Sequence, residues 1–89
     1  MPATDERHVD FYAEVQLPLY AQRNAVRVLR EATAAGIMMF RADQDKYTFY
    51  LPLEEKQDRE TLLARVRLML EFLDVPPHVF IKMTAEATV

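Results

Sequence analysis

The 89-residue sequence contains no cysteine, no tryptophan and no serine. Without cysteine the chain forms no disulfide, binds no cysteine-ligated zinc or iron–sulfur cluster and offers no thiolate nucleophile. Without serine it also lacks the nucleophile of serine hydrolases. These absences exclude catalysis by a cysteine or a serine nucleophile. Without cysteines, the sequence also does not indicate whether the protein resides in an oxidising or a reducing compartment.

Glycine is nearly as scarce, because Gly36 is the only one in the chain. Phosphate-binding loops such as G-x-G-x-x-G and the P-loop need several glycines, since their backbone approaches the phosphates closely. The sequence therefore excludes nucleotide sites of these types, and we expect no cofactor.

The chain also lacks an excess of positive charge and a long apolar run. Its formal net charge is −3 and its pI is about 5.3, which disfavours nucleic acid and anionic membranes as partners. The longest stretch without a polar residue, residues 34–40, is far shorter than the ~20 residues of a membrane-spanning helix. Asp5, Glu6 and Arg7 stand where a signal peptide would be apolar, so we expect a cytoplasmic location.

What the sequence does contain suits a folded domain. Hydrophobic residues make up 51% of the chain and charged residues 28%, enough for a core and for a soluble surface. We predict a single domain over residues 1–89, with an ordered core at about residues 8–84 and ragged termini. A domain this small buries a modest share of its surface, so association with a partner or a second copy would add stability.

The hydrophobic period predicts the first half of the fold. Residues 11–17 alternate apolar and polar side chains, which is typical of a strand that ends before Pro18. A helix over residues 4–16, capped by Thr4, is the alternative, and the alternation favours the strand. Residues 20–35 follow the period of an amphipathic helix, and Gly36 suits the left-handed position just after its end.

The second half repeats this pattern. Residues 37–42 and 46–51 predict a hairpin in which Phe40 pairs with Phe49, and Met38 with Leu51. A second amphipathic helix follows, with Asp58 as its predicted N-cap, and the Val75-Pro76-Pro77 segment ends it. Residues 79–83 alternate again and predict the last strand.

The resulting order is strand, helix, strand, strand, helix, strand. Two βαβ halves joined by a hairpin predict an α+β, ferredoxin-like split βαβ (βαββαβ) fold, a four-stranded antiparallel sheet with two helices on one face. Such domains include enzymes, metabolite sensors, RNA binders and adaptors, so the fold alone does not indicate a function.

In this fold the two sides of the sheet differ. The side facing the helices is the predicted core, formed by Phe11, Ala13, Val15, Leu17, Met38, Phe40, Tyr47, Phe49, Leu51, Val79, Ile81 and Met83. The opposite side is half apolar and carries Tyr12, Glu14, Gln16, Ile37, Met39, Arg41, Thr48, Tyr50, Phe80 and Lys82.

No third layer is left to cover this second side. Its apolar members are therefore expected to be exposed unless a partner binds: Ile37, Met39, Tyr50 and Phe80. Scattered apolar surface residues are the alternative explanation, since much of any folded surface is apolar. The partner-binding residues predicted on this sheet face are Tyr12, Met39, Arg41, Tyr50 and Phe80.

The two helices carry two further surface candidates. Leu68 and Phe72 lie one turn apart, off the main apolar stripe of the second helix, and predict either a partner-binding flank or packing under the first helix or the Pro76-Pro77 turn. A basic stripe follows i, i+4, i+7 spacing on the first helix, and is either a contact for an acidic partner or a solvated face. Its members are Arg23, Arg27 and Arg30.

Candidate chemical groups have ordinary structural explanations. His8 and His78 fall at opposite ends of a strand pair and cannot share a metal ion within one chain, so we predict no metal site. Asp43 and Asp45 lack the glycine and glutamate of a calcium loop and suit a turn. The helix dipole explains the acidic residues near the start of the second helix, Glu54, Glu55, Asp58 and Glu60.

Three functions follow, in order of preference. The first is a small non-enzymatic interaction or regulatory protein that binds another protein or a second copy of itself. The second is a dimeric α+β barrel around a small apolar molecule, which includes cofactor-free enzymes, with a pocket lined by Tyr12, Glu14, Arg41 and Tyr50. The third is a nucleic-acid-binding regulator that stacks bases on Tyr12 and Tyr50, although residues 46–51 lack the glycines of that motif. The absent nucleophiles favour a non-enzymatic role without excluding an enzyme.

Overall fold

The computed structural model describes residues 10–85. The elements in chain order are β1 (Phe11–Gln16), α1 (Leu19–Ala34), β2 (Met39–Asp43), β3 (Lys46–Tyr50), α2 (Arg59–Phe72) and β4 (Lys82–Ala85). Residues 11–16 are therefore a strand, as the alternation predicts. Ala85, which the sequence predicts to belong to the ragged C-terminal end, is the last residue of β4 and pairs with Phe11. Residues 1–9 and 86–89, which include the rest of the predicted ragged ends, His8 and the start of the alternative helix, lie outside the described residues.

The four strands form one antiparallel sheet in the order β2-β3-β1-β4. β1 pairs with β3 through Ala13 and Phe49, and with β4 through Glu14 and Lys82. The predicted hairpin pair of Phe40 with Phe49 is present between β2 and β3. This topology confirms the α+β, ferredoxin-like split βαβ fold.

A single hydrophobic core fills the space between the sheet and the helices. The alternating residues of β1 and β3 supply one side of it, and both helices supply the other through residues at helical spacing. Within residues 10–85 no polar or charged residue is buried. The largest fully buried side chains are Phe49, Leu17, Leu29, Met38, Leu51, Leu62, Val15 and Val66.

The predicted core residues at the sheet margins are only partly buried. Phe40 lies on the edge strand β2, and Phe11 and Met83 lie on or beside the edge strand β4. Each of them packs against the core on one side and meets solvent on the other. Val79 and Ile81 behave in the same way in the segment before β4.

The C-terminus of α1 ends in a Schellman motif, as Gly36 predicts. Gly36 has φ +76°, its N–H donates to the Thr33 carbonyl at 3.1 Å, and the Ile37 N–H donates to the Ala32 carbonyl at 2.9 Å. This motif turns Ile37 back onto the core, where it packs half-buried. The prediction that Ile37 lies on the open side of the sheet is therefore wrong, because β2 begins only at Met39.

The C-terminus of α2 repeats the motif without glycine. Asp74 takes the left-handed position with φ 59°, and the Val75 N–H donates to the Leu70 carbonyl at 2.9 Å. Val75 occupies the same place as Ile37 and is buried. Each half of the chain thus sends one apolar residue into the core directly after its helix.

The last strand starts later than the sequence predicts. After the two prolines the chain turns again, since the Val79 N–H donates to the Pro76 carbonyl at 3.1 Å. Pairing with β1 therefore begins at Lys82 and continues to Ala85, instead of spanning residues 79–83. Phe80 is left outside the strand.

The predicted cap of α2 is also present. The Asp58 carboxylate accepts hydrogen bonds from the Thr61 hydroxyl at 2.7 Å and the Thr61 N–H at 2.9 Å. These two bonds favour the ionised carboxylate and hold the pKa of Asp58 below its ordinary value of 3.8. By contrast, α1 begins after Pro18, which provides no side-chain cap.

The two left-handed positions predict opposite effects of substitution. A Cβ at Gly36 meets no atom within 4 Å, so Gly36→Ala costs only the left-handed backbone, about 1 kcal/mol of unfolding free energy. Asp74→Gly relieves the same strain and should stabilise the chain by up to about 1 kcal/mol. Urea denaturation measures the unfolding free energy of both variants. Asp74→Ala is the control, because alanine keeps the left-handed strain and should not stabilise the chain. Equal signs for Gly36→Ala and Asp74→Gly would contradict this account.

The Asp58 cap predicts a pH-dependent stability difference. Because the pKa of Asp58 is lowered in the folded chain, its stabilising effect is present above pH 3.8 and is lost as the pH falls through the lowered value. The Tm difference between the native chain and Asp58→Ala should therefore be largest near neutral pH and shrink in acid. Asp58→Asn, which keeps the cap without titrating, is the control. A difference that stays constant with pH would argue against the cap.

Candidate functional site

The open side of the sheet brings together four of the five residues predicted there. The rings of Tyr12 and Tyr50 lie 6.2 Å apart between centroids and are tilted by 42°. The Arg41 Nη1 donates to the Tyr50 hydroxyl at 3.4 Å, and Met39 lies opposite Tyr50 in the β2–β3 register. The cluster therefore centres on Tyr50.

These side chains are less exposed than predicted. Met39, Tyr50 and Tyr12 are half-buried, because each is flanked by a neighbour across the strands. Met39 and Tyr50, which the sequence predicts to be exposed, are therefore partly covered, and Arg41 is the exposed member of this cluster. The sheet offers an aromatic surface of limited area.

A carboxylate lies at the centre of the same face. Glu14 is 3.6 Å from the ammonium of Lys46 and 3.8 Å from that of Lys82. The Glu14 side chain is 20% exposed, whereas both lysine side chains are more than half exposed, and ion pairs with such solvated partners contribute about 0–1 kcal/mol each. Their effect here is to make the middle of the open face polar and internally charge-paired.

Phe80 is separate from this cluster and lines a groove at one end of the sheet. Its side chain is 77% exposed. It precedes β4, whose first residue pairs with Glu14, so the last residues of β1 have no partner in β4 beside it. The groove has a volume of about 830 Å³ and is open to solvent. Leu19, at the start of α1, lines its opposite part and is 71% exposed, while Lys46 and Lys82 supply charge. We call this feature the end groove.

The flank of α2 is uncovered. Leu68 is 44% exposed and Phe72 is 65% exposed. Packing of α1 or of the Pro76-Pro77 turn over them, the alternative explanation from the sequence, is therefore insufficient to bury them. Tyr20, in the first turn of α1, is a third large side chain exposed nearby, at 53%.

Two hydrogen bonds show where this flank points. Arg65, three residues before Leu68 and therefore on the same side of α2, donates to the Ile37 carbonyl at 3.0 Å, which lies just after α1. The Tyr20 hydroxyl donates to the Asp74 carbonyl at 3.0 Å, which joins the start of α1 to the end of α2. The exposed side chains thus border the groove between the two helices. We call Tyr20, Leu68 and Phe72 the helix patch.

The sequence predicts Leu68 and Phe72 but misses Leu19 and Tyr20. The missed signal is the position of Tyr20, which falls off the apolar stripe of α1 defined by Ala25 and Leu29. The proximity of Tyr20 to Phe72 depends on a contact between residues 54 apart in sequence. No local pattern contains that information.

The predicted basic stripe lies along the outer side of α1. Arg23, Arg27 and Arg30 are all exposed, while the buried residues of the helix lie on its opposite side. Arg27 is 3.9 Å from Glu31, one turn away, and both side chains are well exposed. The stripe follows the same helix that supplies Tyr20 to the helix patch.

The chemical candidates have structural partners. Asp45 accepts a hydrogen bond from Gln16 at 2.6 Å beside the hairpin turn. Glu55 forms an ion pair with Arg65 at 2.9 Å, and Asp58 caps α2. His78 is exposed in the turn before β4. Across residues 10–85, no group of three or more metal-ligand side chains is placed to hold a metal ion.

Comparison with protein-family models, with curated proteins and with solved structures finds no match to this chain. In the part of the chain that the structure describes, neither helix is long and apolar enough to cross a membrane. The function is therefore inferred from the exposed surfaces themselves.

Two leucines on α2 test whether the helix patch is required for folding. Leu70 is buried and Leu68, two residues away, is exposed. Leu70→Ala should reduce the unfolding free energy by about 2–5 kcal/mol through the lost burial and the cavity it leaves. Leu68→Ala should change it by less than about 0.5 kcal/mol. Urea denaturation at low protein concentration measures both, and a similar large loss for Leu68→Ala would show that it belongs to the core.

Proposed function

We propose that this chain is a small non-enzymatic interaction or regulatory protein that works through a protein-binding surface. The observation that carries the proposal is the helix patch, whose members Tyr20, Leu68 and Phe72 are exposed although the chain has a hydrophobic core. Large exposed apolar clusters are typical of binding surfaces, and aromatic residues contribute most of the energy there.

The end groove extends the same end of the molecule. β1 ends, α1 begins, α2 ends and β4 begins there, so Leu19 and Phe80 of the end groove lie at the same end as Tyr20 and Phe72 of the helix patch. Completing the burial of one leucine or phenylalanine is worth up to ~1.5–3 kcal/mol. A partner that covers several of them gains enough energy for specific binding. The proposal includes self-association and a cytoplasmic location.

A second candidate is the dimeric α+β barrel, in which two sheets pack face to face around a small apolar molecule. The cluster of Tyr12, Met39 and Tyr50 on the open face favours it. The charge-paired Glu14 in the middle of that face counts against a dry contact, because burying it would remove water from three charged groups.

Two matched double variants distinguish these functions. Leu68→Gln with Phe72→Gln removes the helix patch, and Tyr12→Gln with Tyr50→Gln removes the aromatic pair of the sheet. The measurements are the absolute mass by light scattering across a dilution series, and capture of proteins from a lysate by the immobilised chain. We expect association or capture that is lost in the first variant and retained in the second.

Other outcomes separate the alternatives. A dimer that dissociates only in the tyrosine variant would favour the α+β barrel. A monomer at every concentration that captures no protein would refute the interaction function. Steeply salt-dependent binding to oligonucleotides that is lost in the tyrosine variant and retained in the helix-patch variant would favour a nucleic-acid-binding regulator.

A further inference from the structure

An exposed arginine stripe runs along the helix that supplies one member of the helix patch. Arg23, Arg27 and Arg30 stand on the solvent side of α1, the helix that contributes Tyr20. Arg27 has only the 3.9 Å contact with Glu31 in open solvent, where such pairs are weak. Neither Arg23 nor Arg30 has an ion-pair partner within residues 10–85. The stripe therefore keeps its charge available for another molecule.

The helix layer as a whole differs in charge from the rest of the protein. The two helices, Leu19–Ala34 and Arg59–Phe72, contain six arginines and three glutamates, a net charge of +3. The complete chain carries −3. On α2, Arg65 is paired with Glu55, and Asp58 and Asp74 stand at the ends of the helix. The local excess of positive charge is therefore clearest on α1, which has three arginines and one glutamate, and it attracts negative partners.

We propose that the helix patch binds an amphipathic helix of another protein, whose apolar side chains cover Tyr20, Leu68 and Phe72 and whose carboxylates face the arginines of α1. This inference rests on the proposed function and adds the chemistry of its partner. Helix-in-groove recognition uses this combination of an apolar stripe with flanking charge.

The dimensions of the surface define the partner further. Leu68 and Phe72 are four residues apart, about 6 Å along α2, and Arg23 and Arg30 span about 10 Å along α1. A helix of two to three turns covers both. It needs apolar residues at i and i+3 or i+4, with aspartate or glutamate on the flank that faces α1.

Charge and polarity favour this occupant over a nucleic acid. A nucleic acid would satisfy the arginines but would set its polar backbone against Leu68 and Phe72. An acidic amphipathic helix satisfies the apolar residues and the charges together.

The experiment is a selection from a displayed library of random 16-residue peptides against the full chain. We expect enriched sequences with net negative charge and apolar residues at helical spacing. Their affinity, measured by fluorescence anisotropy, should fall by about tenfold or more in Phe72→Ala, since that side chain is a central anchor. It should also weaken as the salt concentration rises.

A matched pair of charge reversals isolates the stripe. Arg23→Glu with Arg30→Glu changes the stripe, and Arg59→Glu with Arg67→Glu makes the same change of total charge on α2. We expect about tenfold weaker peptide binding in the first variant and a change within about twofold in the second. Equal losses in both would show that only the total charge matters, and would overturn the proposal.

The remaining outcomes are also decisive. Enrichment of neutral or basic peptides that still need Leu68 and Phe72 would refute the acidic helix and leave the interaction function standing. No enrichment, or displacement of the selected peptide by a single-stranded oligonucleotide at equal concentration, would refute the acidic helix as the occupant. Only the mass and capture measurements decide whether the interaction function fails with it.

Discussion

The pairing of β1 with both β3 and β4 is the constraint on which the rest of the molecule depends. β1 comes from the first half of the chain, and its two partners come from the second, so neither half completes the sheet alone. Its buried residues Ala13 and Val15 also form the floor on which the helices pack. Because β1 ends where β4 begins, the start of α1 and the end of α2 are held at the same end of the sheet. The helix patch is a result of that pairing.

The sequence predicts features that depend on a few neighbouring residues. Alternation predicts β1, and the chemistry of Asp58 and Gly36 predicts the start of one helix and the end of the other. Features that depend on the competition between neighbouring elements are missed. Ile37 fits a strand pattern equally well, but its N–H bonds to the Ala32 carbonyl in the C-terminal motif of α1, so Ile37 is not part of β2. The candidate site divides in the same way: Phe72 is visible as a residue off the helical stripe, whereas its proximity to Tyr20 requires the folded chain.

Positive and negative charges are distributed unevenly between the helices and the rest of the chain. Arginines dominate the charged residues of the helix layer, while the remainder of the chain carries the excess of carboxylates. The exposed arginines of α1 therefore attract negatively charged molecules at distances up to a Debye length, about 8 Å at physiological salt. Under the proposed interaction function, such a field would orient a negative partner as it approaches, and the exposed apolar residues would set the lifetime of the complex.

The predominantly apolar core has a consequence for how this protein changes over time. Buried polar networks in other proteins fix particular partners in place, and within residues 10–85 no polar or charged residue belongs to the buried core, whose tyrosine is Tyr47. Packing among Leu17, Leu29 and Leu62 depends on volume and shape, which many combinations of aliphatic residues satisfy. Mutational drift can therefore replace much of the core without altering the fold. Leu68 and Phe72 lie outside the buried core, so their replacement costs less stability than that of a core residue.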